Sequence, residues 1–465
     1  SEMCIRDSDT LGFEVERILP GGVVRSFAYD DIGHLVESRT RKDSRTRHMR
    51  RYRWGVADRL LSVDDSRRGE TRYSYTPTGQ LDRAEYPGGS ERWRKSDQVG
   101  NLYPDPDMKM RRYLSGGRLE QDGEWHCEYD ADGNLTERYR GTGRWLDGRK
   151  ECWRYRWNAD GSLATVIRPD KKEVGFTYDA LGRRLSKSFG TTVTRWVWNG
   201  NVPLHQWKER REYSVMEDRW NTAPERRDMT VWLFDEDSFV PAAMIRGGKA
   251  YSILTDQLGT PTEAYDTNGN EVWSRVLDMD GNVIEETGNR GMIPFLFQGQ
   301  YYDPETGLAY NRFRYYDPKT GAYISQDPIR LAGGILNLYG YVDDTNAWID
   351  VLGLAKHHTT PRQVYNPRKY KKVDGTIVRP APVLSNTVAD DKRIRGTKKE
   401  PNMWDIPDDV HSAIHNPNSD ISKRNGGDYN SVFIQRVTSL PNPTVEAVLS
   451  IRDQMAKDYD IEKYR

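Results

Sequence analysis

A mainly β fold, built from a repeated hairpin and followed by a small α+β domain, is what this sequence predicts. Three observations carry that prediction. Aromatic residues make up 11% of the 465 residues and hydrophobic residues 36%, punctuated by 40 Gly. That balance suits many short strands with one buried face and argues against a disordered chain. A unit of aromatic-x-aromatic-Asp, a short gap and Gly then recurs along the chain. Finally, the pattern stops at Leu354: of the 14 Trp only Trp404 lies beyond it, while four of the 8 His (His357, His358, His411, His415) lie there as two close pairs.

Net charge is zero, so the whole chain gives no nucleic-acid signal. The three Cys (Cys4, Cys127, Cys152) have no metal-ligand spacing and imply no disulfide framework. No apolar run is long enough to span a membrane. Residues 1–9 match nothing that follows, and the chain opens on Ser1, so they are read as a truncation remnant.

From residue 10 the repeat takes over. Its copies include FAYDDIGHLVES from Phe27, YSYTPTGQLDRAEY from Tyr73, CEYDADGNLTERY from Cys127, YRWNADGSLATVI from Tyr155 and FTYDALGRRLSKS from Phe176. Each reads as strand, tight turn, strand, with Asp and Gly supplying the turn. Recurrence at roughly 20 to 30 residues, or multiples of that, marks hairpins stacked into a continuous sheet.

These units resemble the YD repeats of Rhs proteins. The likeness sharpens in YSILTDQLGTPTEAYDTNGNEVW from Tyr251, and again in the long stretch from Phe297 to Val342 that contains YYDPETG and YYDPKTG. The resemblance implies a YD-repeat sheet over residues 10–296, spiralling into a hollow cocoon around the C-terminal polypeptide. It also implies a core-associated domain over 297–354 that ends in a self-cleavage junction. The family's D-P-x-G-L matches Asp350 to Leu354, with Val351 in place of Pro. The family's second carboxylate matches Asp327. Two carboxylates brought together cannot both ionise easily, so the pair can hold a proton and activate water. Cleavage is expected after Leu354.

The tail, residues 355–465, has a basic first half, with 12 Lys and Arg against 3 Asp from Lys356 to Lys399. Arg368, Lys369, Lys371 and Lys372, with Lys392, Arg393, Arg395, Lys398 and Lys399, are candidate phosphate contacts. Asp408 or Asp409 can cap a helix running through His415. His411 and His415 then lie one turn apart on one face, where both can bind one metal ion. His357-His358 would sit on a strand or loop facing them. A last amphipathic helix is expected from about Thr444, with Val445, Val448, Arg452, Met455 and Tyr459 at helical spacing.

At these residues the tail is similar to HNH, or ββα-metal, nucleases of the His-His type. The resemblance implies His358 as general base and Asn402 as the residue that orients its loop. It implies His357, His411 and His415 as ligands of one divalent ion, with Zn, Mg, Mn and Ni all compatible. It implies a delivered antibacterial effector acting in the target-cell cytoplasm, with nucleic acid as substrate, DNA favoured over RNA. Its partners would be a cognate immunity protein and a secretion apparatus reached through a missing N-terminal region. Two other readings stay open: the same shell carrying an RNase or an ADP-ribosyltransferase, and a non-enzymatic cell-surface scaffold.

Overall fold

The computed structural model describes residues 5–9, 13–31, 33–141, 151–333 and 336–354, with 357–358, 370–371, 377–378 and 454 beyond them. The chain divides into two compact units. One is Ile18–Thr359, with Ser1–Cys4; the other is Ile5–Arg17 with Thr360–Arg465. The fold is nearly all β. In the first unit one sheet runs in sequence order from Val23–Tyr29 to Glu91–Trp93. A second sheet of 16 strands runs in sequence order from Arg111–Leu114 to Val283–Gly288. All neighbouring strands paired in it are antiparallel, so the chain advances by hairpins alone.

The local chemistry explains the repeat. In Asp30–His34 the Asp30 amide donates to the His34 carbonyl and the Gly33 amide returns to the Asp30 carbonyl. The Asp30 carboxylate also accepts the His34 amide at 2.8 Å. Asp130–Asn134 and Asp179–Arg183 repeat the arrangement. Gly33, Gly133 and Gly182 all have φ between 75° and 90°, the left-handed region that disfavours a side chain. A second bond links one hairpin to the next. The aromatic residue just before the turn donates to a carbonyl in the preceding hairpin: Trp54 to Leu35 and Trp157 to Leu135 at 2.8 Å, Tyr178 to Leu163 at 2.7 Å. The aromatic thus buries its ring and satisfies its own polar end, while Leu60, Leu81 and Leu163 fill the core beneath.

The two sheets of this unit meet through buried polar residues. His48 lies between Glu263 (2.5 Å) and Asp65 (2.8 Å), and Arg50 bonds Asp65 at 3.0 Å. Beyond the second sheet a four-stranded meander follows: Tyr301–Asp303, Leu308–Asn311, Arg314–Asp317 and Ala322–Tyr323. The Asp of each YYDP motif anchors it. Asp303 pairs with Arg184 and Lys187, and Asp317 with Arg138 at 2.6 Å.

Among the described residues of the second unit, Tyr370–Lys371 pairs with Ile377–Val378, and strand Ile5–Ser8 lies beside Tyr370–Lys371. Gln454 is helical and exposed. Among the described residues no helix is long and apolar enough to cross a membrane.

Candidate active site at the junction

The meander strand Arg314–Asp317 is buried along its whole length, and it brings a guanidinium into a site made otherwise of tyrosines and carboxylates. Arg314 is 1% exposed and lies 3.7 Å above the Tyr323 ring. A buried Arg needs buried acceptors. Its Nη2 finds Asp327 at 3.0 Å and Asp350 at 3.1 Å. The two carboxylates expected to act together, 23 residues apart in sequence, therefore share one nitrogen of one cation. Its Nε donates to the Gly353 carbonyl and its Nη1 to the Leu338 carbonyl.

Asp350 is fully buried and accepts at both oxygens. Tyr323 donates its hydroxyl to Oδ2 at 2.9 Å, and the Leu354 amide donates to Oδ1 at 3.0 Å. The residue expected to precede the cut is thus bonded to one of the expected catalytic carboxylates. Asn311 completes the network. Its Nδ2 donates to the Tyr323 hydroxyl and to the Asp350 carbonyl, both at 2.7 Å. Gly353 has φ of 69°, and a Cβ there would meet the Asn311 carbonyl oxygen at 2.5 Å. The junction glycine is required on both counts. Val351, where the resemblance expects Pro, leaves the carbonyls of Asp350, Leu352 and Gly353 all bonded to the shell.

Burial pushes the Asp327 carboxyl up to about 6; Arg314 and the Ile329 amide oppose this, and the Asp350 charge adds to it. A proton held there near neutrality is one that can be given away. If Asp327 is the acid, self-cleavage falls as pH rises through about 6, by about tenfold per unit above it. Precursor made by cell-free translation and sampled on gels between pH 5 and 8 measures this. A rate that climbs over that range rules Asp327 out as the acid.

Arg314, Tyr323 and Asn311 were not singled out from the sequence. The signal for Arg314 was a charged residue in the otherwise aromatic RYYD strand. The roles of Tyr323 and Asn311 have no local signal. A cavity of about 770 Å³ lies elsewhere in the same unit, lined by Arg50, Asp65, Asp256, Arg275 and Asp278 among others, and includes neither Asp327 nor Asp350.

Of the tail's candidate residues, His357 and His358 form a two-residue strand paired with Trp348–Ile349, and Lys371 lies in Tyr370–Lys371. Asn402, His411, His415, Arg368, Lys369, Lys372, Lys392, Arg393, Arg395, Lys398 and Lys399 lie outside the described residues. Among the described residues no cluster of His, Cys, Asp and Glu suits a metal ion.

Comparison with known proteins places the shell. The chain is 32% identical over 396 residues to double-stranded DNA deaminase toxin A of Burkholderia cenocepacia, covering 78% of this chain and 27% of that protein. It is 30% identical over 367 residues to probable deoxyribonuclease RhsA of Dickeya dadantii, covering 75% and 24%. It therefore spans about a quarter of the length of these relatives. The crystal structure of TcdB2-TccC3-TEV matches with a TM-score of 0.51 at 16% identity, over 76% of this chain and 19% of that one, which speaks to fold alone. The Teneurin YD-shell family model matches residues 18–344. Well over half of the chain fits that model, so the chain belongs to the YD-shell family, with Rhs proteins among its relatives.

Proposed function

We propose that this chain is part of a delivered antibacterial toxin, whose YD shell cuts itself after Leu354 and frees the segment beginning at Ala355 as a metal-dependent nuclease. The observation that carries the reading is the shared Arg314 nitrogen between Asp327 and Asp350, with the Leu354 amide on Asp350. In the cut, water adds to the Leu354 carbonyl carbon while the ionised carboxylate takes one of its protons. The Leu354–Ala355 bond then breaks, and the protonated Asp327 gives its proton to the leaving nitrogen. The products are a Leu354 carboxylate and an Ala355 amine. Arg314 holds both carboxyls and the Gly353 carbonyl in one frame.

The cargo reading rests on the order His357-His358, Asn402, His411 and His415. Three imidazoles, His357, His411 and His415, suit a divalent ion by donor chemistry. Bound there, the ion would stabilise the phosphate and the leaving oxygen. His358 would take the proton of the attacking water, and Asn402 would hold its loop. The basic residues from Arg368 to Lys399 would grip the phosphates. DNA is the favoured substrate, and two relatives carry DNA-directed names. A deaminase cargo is disfavoured, because the tail has no Cys for a His/Cys/Cys zinc site. An immunity protein would guard the producing cell, and a secretion apparatus would deliver the chain to the target cytoplasm.

The test uses the full chain with plasmid DNA and with total RNA. DNA is expected to be degraded with added divalent metal, and both EDTA and His358→Ala are expected to stop it. RNA loss alone would make the tail an RNase. No loss of either nucleic acid under any metal would turn the search to a transferase.

A further inference from the structure

We propose that the shell strand Trp348–Ile349 is a docking edge for the first residues beyond the cut, and that it reads their backbone and not their side chains. The inference rests on the self-cleavage reading above and adds to it a substrate clamp on the far side of the bond.

Residues 357–358 run antiparallel to that strand, His358 opposite Trp348 and His357 opposite Ile349. The pairing returns residues 357–358 to the strand that precedes the junction. In sequence the Leu354–Ala355 bond lies between the two paired segments. The near side of that bond is fixed by the shell. Asn311 holds the Asp350 carbonyl, the Phe313 amide donates to Leu352 at 3.3 Å, Arg314 holds Gly353, and Asp350 holds the Leu354 amide. None of these contacts lies beyond Leu354. The ladder supplies a second anchor, on the far side of the bond. The edge itself is firm: Ile349 is buried, and Trp348 packs against the cluster of Leu296, Phe297, Tyr316, Tyr323 and Tyr341.

Two consequences follow from the physics. Holding a reacting bond on both sides limits the geometries it samples, which speeds an intramolecular step. A two-residue ladder is also weak once the two strands belong to separate chains, because the effective concentration supplied by the intact chain is gone. The edge grips before the cut and lets go after it. Since main-chain groups form a ladder, tails of different sequence can use the same edge.

The experiment compares full-length chains made by cell-free translation: wild type, Asp350→Asn, His358→Ala, His357→Pro and His358→Pro. Cleavage is followed by intact mass. His358→Ala keeps its amide and is expected to be cut at the wild-type rate, even though its nuclease is lost. At least one proline chain is expected to be cut about tenfold more slowly. Hydrogen exchange over residues 345–360 is then read in uncut Asp350→Asn chains. Exchange is expected to be slower there than in the same chain carrying His358→Pro. Equal exchange, or proline chains cut at the wild-type rate, overturns the docking edge. Equal slowing by Ala and Pro overturns backbone reading. A wild-type chain that stays whole overturns self-cleavage instead, and the exchange readout then still decides whether the edge exists.

Discussion

Asp350→Asn is expected to leave the chain whole, where the proposed self-cleavage would separate the wild type after Leu354. The substitution keeps the shape of the side chain and one of its two oxygens, so either the Tyr323 hydroxyl or the Leu354 amide, but not both, still has an oxygen to meet. What is lost is the charge that pairs with Arg314 and the group that can accept a proton. Removing one member of a general acid–base pair slows such a step by about 10²–10⁴-fold. Over the life of an expression culture that is the difference between complete and negligible cutting. Asp327→Asn should act the same way by removing the acid. Intact mass measures both. A fragment ending at Leu354 in either variant would mean that the carboxylates are only structural partners of Arg314.

Arg184→Met has the largest expected effect on stability, about 3–5 kcal/mol. Arg184 is 1% exposed and pairs with Asp303, which has no exposure at all. Four rings surround its guanidinium: Trp196 at 4.5 Å, Tyr310 at 4.6 Å, Tyr301 at 5.1 Å and Phe176 at 5.5 Å. Burial favours a neutral Asp303, but Arg184 and Lys187 hold its carboxyl below its usual range. Without Arg184, Asp303 keeps only Lys187 in a place that water does not reach. Because Asp303 opens the meander that carries Arg314 and Tyr323, the loss should also slow self-cleavage. The urea midpoint of the shell measures the first effect. A midpoint equal to that of wild type would show that the aromatic cage, not the ion pair, fixes the meander.

Turn chemistry is local, and it was legible. Asp, a short gap and Gly dictate a turn from within five residues, and the strands on either side follow from their alternation. The same reasoning does not reach the second bond of the repeat, in which Trp157 donates to Leu135. The aromatic pattern shows that a ring is buried there; which carbonyl receives its N–H depends on the stacking of one hairpin on the last.

At the junction the division is sharper. The sequence by itself determined that Asp327, Asp350, Gly353 and Leu354 belong to one motif-bearing segment, and that a different kind of chain begins after them. Only the tertiary structure decided that Arg314 bridges the two carboxylates, that Tyr323 and Asn311 support Asp350, and that Trp348–Ile349 receives His357–His358. The physical reason is that these partners come from different strands of a buried meander. Burial forces each polar group to find a partner, but the fold alone decides which group is within reach.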